Sequence, residues 1–176
     1  MHTLIRNILD RRLVSLVGED GVGKSAVSAA VCKYLADRDM FHDGVVYLRA
    51  KGLNNFKSFL SGLQNALLNS GTNTVAQRFH TLLNNSTSTI NSNYVYPEEE
   101  LIFSCLEPLK LLLVIDNLDD LFRDYGDSIT DLRIFLTRLF EQCHHIKLLI
   151  VSTDTLNMHN INIGFGIIEY SGINII

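Results

Sequence analysis

Apolar residues fall in two rhythms along this chain, and the two rhythms alternate. Leu13-Val14-Ser15-Leu16-Val17 is a short, mostly apolar run that reads as a buried strand. Past a glycine-rich turn, Ala26, Val27, Ala30, Val31, Tyr34 and Leu35 recur at the spacing of one helix face. A second strand is predicted over Gly44–Ala50, and then Phe56, Phe59, Leu60, Leu63 and Leu67 form a second helical stripe. Pro97 opens another helix, whose first turn carries Glu98, Glu99 and Glu100, a sequence suited to the positive end of a helix. Leu111–Ile115 is apolar throughout, as a strand buried on both faces must be. Ile129, Leu132, Phe135, Leu136, Leu139, Phe140 and Cys143 line a long helix, followed by the buried strand Ile146–Val151 and a weaker last strand, Ile167–Tyr170.

Alternating strands and helices predict an α/β fold in three layers, with about five parallel strands and helices on both faces. Right-handed crossovers then bring the strand C-termini to one edge, where ligands gather. One domain is expected over residues 1–176, with 84–93 as an exposed loop rich in Asn, Ser and Thr. Gly164 and Gly166 are expected in a turn before the last strand.

Composition narrows the partners. The net charge of −4 predicts neither a nucleic-acid surface nor an acidic-membrane surface, and Arg11-Arg12 reads as a solvated basic pair. No stretch is apolar for long enough to be a signal peptide or a membrane span. Cys32, Cys105 and Cys143, odd in number and each in a predicted helix, read as reduced thiols of a cytoplasmic protein. In Cys143-His144-His145, three adjacent ligands at a helix end cannot all face one metal ion.

The turn after the first strand carries the chemistry. Gly18-Glu19-Asp20-Gly21-Val22-Gly23-Lys24-Ser25 matches the phosphate-binding pattern G-x-x-x-x-G-K-[ST] in full. Glycines let the backbone curl so that successive N–H groups face an anion, and Lys24 brings a solvated positive charge to the β/γ-phosphates. The Ser25 hydroxyl is a ligand for Mg²⁺, and the helix entered through Ala26 aims its positive end at the phosphates. A second acidic element follows the most apolar strand: Asp116-Asn117-Leu118-Asp119-Asp120. Asp116 at the strand exit is expected to hold Mg²⁺ together with Ser25. Asp119 or Asp120 is then a candidate to orient or deprotonate an attacking water, unless both simply cap the next helix.

These two stretches, with Val151-Ser152-Thr153 closing a further strand, resemble the STAND class of regulatory P-loop NTPases, which includes NB-ARC and NACHT domains. The resemblance runs from about Leu13 to Tyr170. It implies a P-loop NTPase fold, binding of ATP or ADP with Mg²⁺, phosphate sensing by Ser152 and Thr153, and slow hydrolysis. It also implies nucleotide-dependent homo-oligomers. A helical subdomain and a winged helix should follow the fifth strand, so the chain is expected to be the core of a larger protein or a truncated relative. Two positions depart from the NB-ARC pattern. Asn117 stands where a second Asp is usual, and Asp154 where an Arg senses the γ-phosphate. Two other readings stay open: a small-molecule kinase, for which 154–166 would be a lid without Arg or Lys, and a nucleotide-binding interaction module that lacks hydrolysis.

Overall fold

In a computed structural model, residues 1–71, 73–86, 97–123, 127–154, 156 and 165–169 are described. The apolar runs are strands: β1 (Leu13–Val17), β2 (Val45–Arg49), β3 (Leu112–Asp116), β4 (Lys147–Ser152) and β5 (Phe165–Glu169). They form one five-stranded sheet in the order β2-β3-β4-β1-β5, and every adjacent pair is parallel. The helices are α1 (His2–Asp10), α2 (Lys24–Ala36), α3 (Phe56–Leu68), α4 (Asn73–Ser86), α5 (Pro97–Leu106), α6 (Asp119–Arg123) and α7 (Asp127–Gln142).

Side-chain alternation along the strands sorts the core into two layers. Leu13, Val46, Leu48, Leu113, Ile115, Leu148 and Ile150 face α3, α4, α5 and α7. Val14, Leu16, Leu112, Val114, Leu149 and Val151 face α1 and α2. A sheet covered on both faces leaves little room for polar side chains in its inner strands, which is why Leu112–Ile115 and Leu148–Val151 are apolar throughout; Ser15 of β1 is a buried exception.

Helices α1 and α4 went unpredicted, although Leu4 and Ile8, like Val75 and Phe79, are buried at four-residue spacing. Helix α4 also takes in residues 84–86, so the expected loop begins later than 84; the rest of 84–93 lies outside the described residues. In α2 the buried positions are Lys24, Ser28, Val31, Cys32 and Leu35, whereas Ala26 and Ala30 are exposed. The inward face is therefore turned from the expected one, because the start of α2 presents polar groups to the strand ends. Gly166 lies within β5, in register with Val14, instead of in a turn; Gly164 falls outside the described residues. Cys143 sits just past the end of α7.

Arg12 is a clear departure from the solvated pair. Its guanidinium donates to the carbonyls of Phe140 (3.1 Å) and Cys143 (2.7 Å) at the end of α7 and lies over the Phe140 ring. At the start of β4, Lys147 Nζ donates to the carbonyls of Ile8 and Leu9 at the end of α1. Cations suit helix C-termini, whose last carbonyls lack partners within the helix. Burial lowers the pKa of both groups from its ordinary value. Both caps lie at the N-terminal edge of the sheet, away from the phosphate loop.

Candidate nucleotide-binding site

The loop between β1 and α2 depends on two glycines. Gly21 (φ 80°) and Gly23 (φ 95°) are left-handed, and a Cβ at either would meet nothing within 4 Å, so backbone conformation is the constraint there, not space. Gly23 is also the N-cap of α2 and makes no side-chain cap, which leaves the first N–H groups of the helix to other acceptors. The Gly21 N–H donates to the carboxylate of Asp20 (3.0 Å), while Glu19 and Asp20 are both exposed on the rim of the loop.

Lys24 is not a solvated point charge. It is 8% exposed, and its ammonium donates to the carbonyls of Gly18 (2.8 Å) and Glu19 (2.7 Å). The lysine therefore threads under the loop and holds its first turn. Charge-assisted bonds of this kind are stronger than neutral ones.

Ser25 and Asp116, ninety-one residues apart, meet: the Ser25 hydroxyl donates to Asp116 Oδ1 at 2.9 Å. Sheet geometry explains the meeting. Asp116 continues the alternation of Leu112 and Val114, so it faces α2, and it is 3% exposed. A buried carboxylate beside a hydroxyl is a pair of hard oxygen donors, the set that Mg²⁺ prefers, and the two residues fit that ion. The other carboxylate oxygen of Asp116 accepts from the Tyr47 hydroxyl of β2 (2.8 Å). Burial, followed by hydrogen bonding and charge from Asp116 against an opposing bond from Ser28, pushes the Tyr47 phenol well above its usual range. Nothing in the strand pattern had singled out Tyr47.

The neighbouring acids point elsewhere. Asn117 has a left-handed backbone (φ 65°), which Asn tolerates better than most residues, and it turns the chain out of β3 into α6. Asp119 Oδ1 accepts both the N–H (2.5 Å) and the hydroxyl (2.7 Å) of Thr153, at the end of β4. Asp120 Oδ2 accepts the N–H of Gly52 (2.8 Å), in the turn after β2. Ser152, buried, lies on the opposite face of β4 from Val151, and so away from Ser25. Its hydroxyl donates to the Asp154 carbonyl (2.6 Å), and Asp154 is exposed. The structure thus gathers residues 18–25 with Asp116 into one cluster and Asp119 with Thr153 into a second.

Elsewhere, Cys143 is buried with its thiol toward the Phe103 carbonyl, while His144 and His145 are exposed, so the three side chains diverge. No group of three or more His, Cys, Asp or Glu side chains forms a metal cluster among the described residues. No described helix is long and apolar enough to cross a membrane.

Residues 7–158 match the family model described as an AAA domain. The chain belongs to the AAA domain family. It is a P-loop ATPase domain, of a type that binds ATP or ADP with Mg²⁺. No curated protein matches this AAA domain. Among solved structures, a signal transduction ATPase with numerous domains (STAND) from Pyrococcus horikoshii, with a tetratricopeptide repeat sensor, aligns at TM-score 0.60 and 18% identity, over 99% of this chain and 23% of that one. Cdc6p from Pyrobaculum aerophilum aligns at 0.54 and 15%, over 92% and 41%. The ORC1 protein of Aeropyrum pernix, solved in complex with DNA, aligns at 0.54 and 16%, again over 92% and 41%. These likenesses are of fold. The AAA domain spans roughly a quarter to two fifths of the length of these three structures.

Proposed function

We propose that this AAA domain is the nucleotide-binding core of a regulatory switch, holding ATP or ADP with Mg²⁺ at residues 18–26 and hydrolysing ATP slowly. In this reading Lys24 serves the β/γ-phosphates, Ser25 and Asp116 hold the ion, and Thr153 senses the terminal phosphate. The observation that carries it is the contrast between the two clusters. The phosphate loop, Lys24, Ser25 and Asp116 are assembled, whereas the acids suited to activating water are bonded to protein donors. Asn117 offers no base, and Asp154 is negative where transition-state charge calls for a cation.

ADP then favours one arrangement of a larger protein, and ATP another in which copies associate. Three free buried cysteines suit a reducing, cytoplasmic setting. A net charge of −4 argues against a duplex-binding surface on this stretch, so DNA stays with the similar structure in which it was found.

Calorimetric titration with Mg²⁺-ADP and Mg²⁺-ATP tests the reading, with Lys24→Ala as control. An absence of binding by the natural sequence would sink it. Asn117 and Asp154 also favour a second reading, an interaction module that binds nucleotide without turnover. Tight binding with no phosphate release after prolonged incubation would select that one.

A further inference from the structure

The two oxygens of Asp116 are held from different elements: Oδ1 by Ser25 of α2 (2.9 Å) and Oδ2 by Tyr47 of β2 (2.8 Å). The ring closes through Ser28, whose hydroxyl lies 3.1 Å from Tyr47 Oη and 3.1 Å from the Ser25 carbonyl. Counting protons orders this network. Tyr47 and Ser28 have one hydroxyl hydrogen each, for three contacts. The carboxylate is the strongest acceptor and takes the Tyr47 proton, so the Ser28 proton is shared between Tyr47 Oη and the Ser25 carbonyl. Ser28 is fully buried and Tyr47 half-buried. Strand order makes the arrangement possible, because β2 flanks β3 with Tyr47 in register with Val114, on the face that α2 covers.

We propose that Tyr47 is a positioning residue for magnesium: its hydroxyl fixes Asp116 Oδ2, so that Oδ1 is presented to Ser25 and to the ion those two residues would hold. The inference rests on the magnesium reading of Ser25 and Asp116. The terminal torsion of an aspartate is soft and nearly two-fold, so a carboxylate held at one oxygen only is poorly aimed. Mg²⁺ demands near-ideal octahedral geometry and tolerates such slack badly. A serine hydroxyl would hold the ion through an oxygen lone pair and keep its proton, so both the Ser25–Asp116 and the Tyr47–Asp116 hydrogen bonds are compatible with a bound ion. Outer partners of metal ligands commonly contribute 10–100-fold in metal affinity.

Tyr47→Phe keeps the ring and removes only the hydroxyl. The experiment measures ADP affinity by calorimetry in Mg²⁺ and in EDTA, and takes the ratio, for the natural sequence and for Tyr47→Phe, Ser28→Ala and Asp116→Ala. Tyr47→Phe should lower the magnesium preference about tenfold, with affinity in EDTA unchanged. Ser28→Ala, which loosens Tyr47 without touching Asp116, should move the ratio the same way by less, and it keeps the test decisive if Tyr47→Phe folds poorly. A merely structural tyrosine would lower thermal stability without moving the ratio. If Asp116→Ala abolishes the preference while Tyr47→Phe and Ser28→Ala keep it, the positioning role is overturned. If Asp116→Ala also keeps it, the magnesium reading of the pair falls first.

Discussion

Asp119 Oδ1 accepts two hydrogen bonds from Thr153, one from the backbone N–H at 2.5 Å and one from the hydroxyl at 2.7 Å. A candidate to activate water and a candidate to sense phosphate thus occupy each other. Thr153→Val keeps the backbone bond and removes the hydroxyl. A hydrogen bond to a charged group contributes about 1.5–3 kcal/mol when well enclosed, and Thr153 is only half-buried, so a loss of about 1–2 kcal/mol is expected in urea denaturation. If Thr153 senses the terminal phosphate, the same variant should weaken ATP more than ADP. Equal weakening of both would remove it from that role.

Lys24→Ala should reduce nucleotide affinity at least tenfold, a loss of roughly 1.4 kcal/mol or more in binding. Because Lys24 also ties down the carbonyls of Gly18 and Glu19, the variant should fold yet melt several degrees lower in the absence of nucleotide. Differential scanning fluorimetry with and without ADP separates the two effects.

Turnover should fall well under the ~1–100 per second of efficient phosphoryl transfer. Asp154→Arg replaces an exposed acid beside Thr153 with the cation that the STAND pattern carries. Higher ATP affinity or faster phosphate release is expected from a malachite-green assay. No change would place residue 154 away from the phosphates and leave the cation to a partner subunit.

Burial raises the thiol of Cys105 to about 11, and those of Cys32 and Cys143 to about 12, from an ordinary 9.0. Folded cysteines then keep their protons where unfolded ones lose them. Stability from this source is complete below pH 9 and declines as pH rises from there towards 11 and 12. Melting temperature should therefore drop across that alkaline window. At pH 8, where thiolate is scarce in the fold, iodoacetamide should label the cysteines only after denaturant is added; rapid native labelling would contradict it.

Most of the fold could be read from spacing. The strands β1, β3 and β4 are apolar on both faces, and α3 and α7 bury the stripes expected of them, because strong periodicity leaves few ways to hide so many leucines and phenylalanines. The stripes of α1 (Leu4, Ile5, Ile8, Leu9) and α4 (Val75, Phe79, Leu82, Leu83) recur at helical spacing as well, and spacing alone would have shown them. Within the site, the phosphate loop was legible because its demands fall on consecutive residues. Tyr47 was not, since its partner Asp116 lies sixty-nine residues away and only the strand order unites them. Asn117 was read as a lost base, but its left-handed backbone is a turn, and sequence shows side-chain chemistry more readily than backbone torsion.

Arg12 and Lys147 act on the sheet as a clamp acts on one end of a beam. Each grips the last carbonyls of a helix, one on each face, at the edge remote from the phosphate loop. That end cannot slide without stranding two half-buried cations, so any displacement must grow with distance from it and be largest at the far rim. Amide hydrogen exchange should be slow and insensitive to nucleotide at Leu13 and Leu148, and should change on ADP binding around Asn117–Leu121 and Thr153. If the domain works as the proposed switch, the rim is the part whose shape nucleotide would change most, and the base the part it would change least.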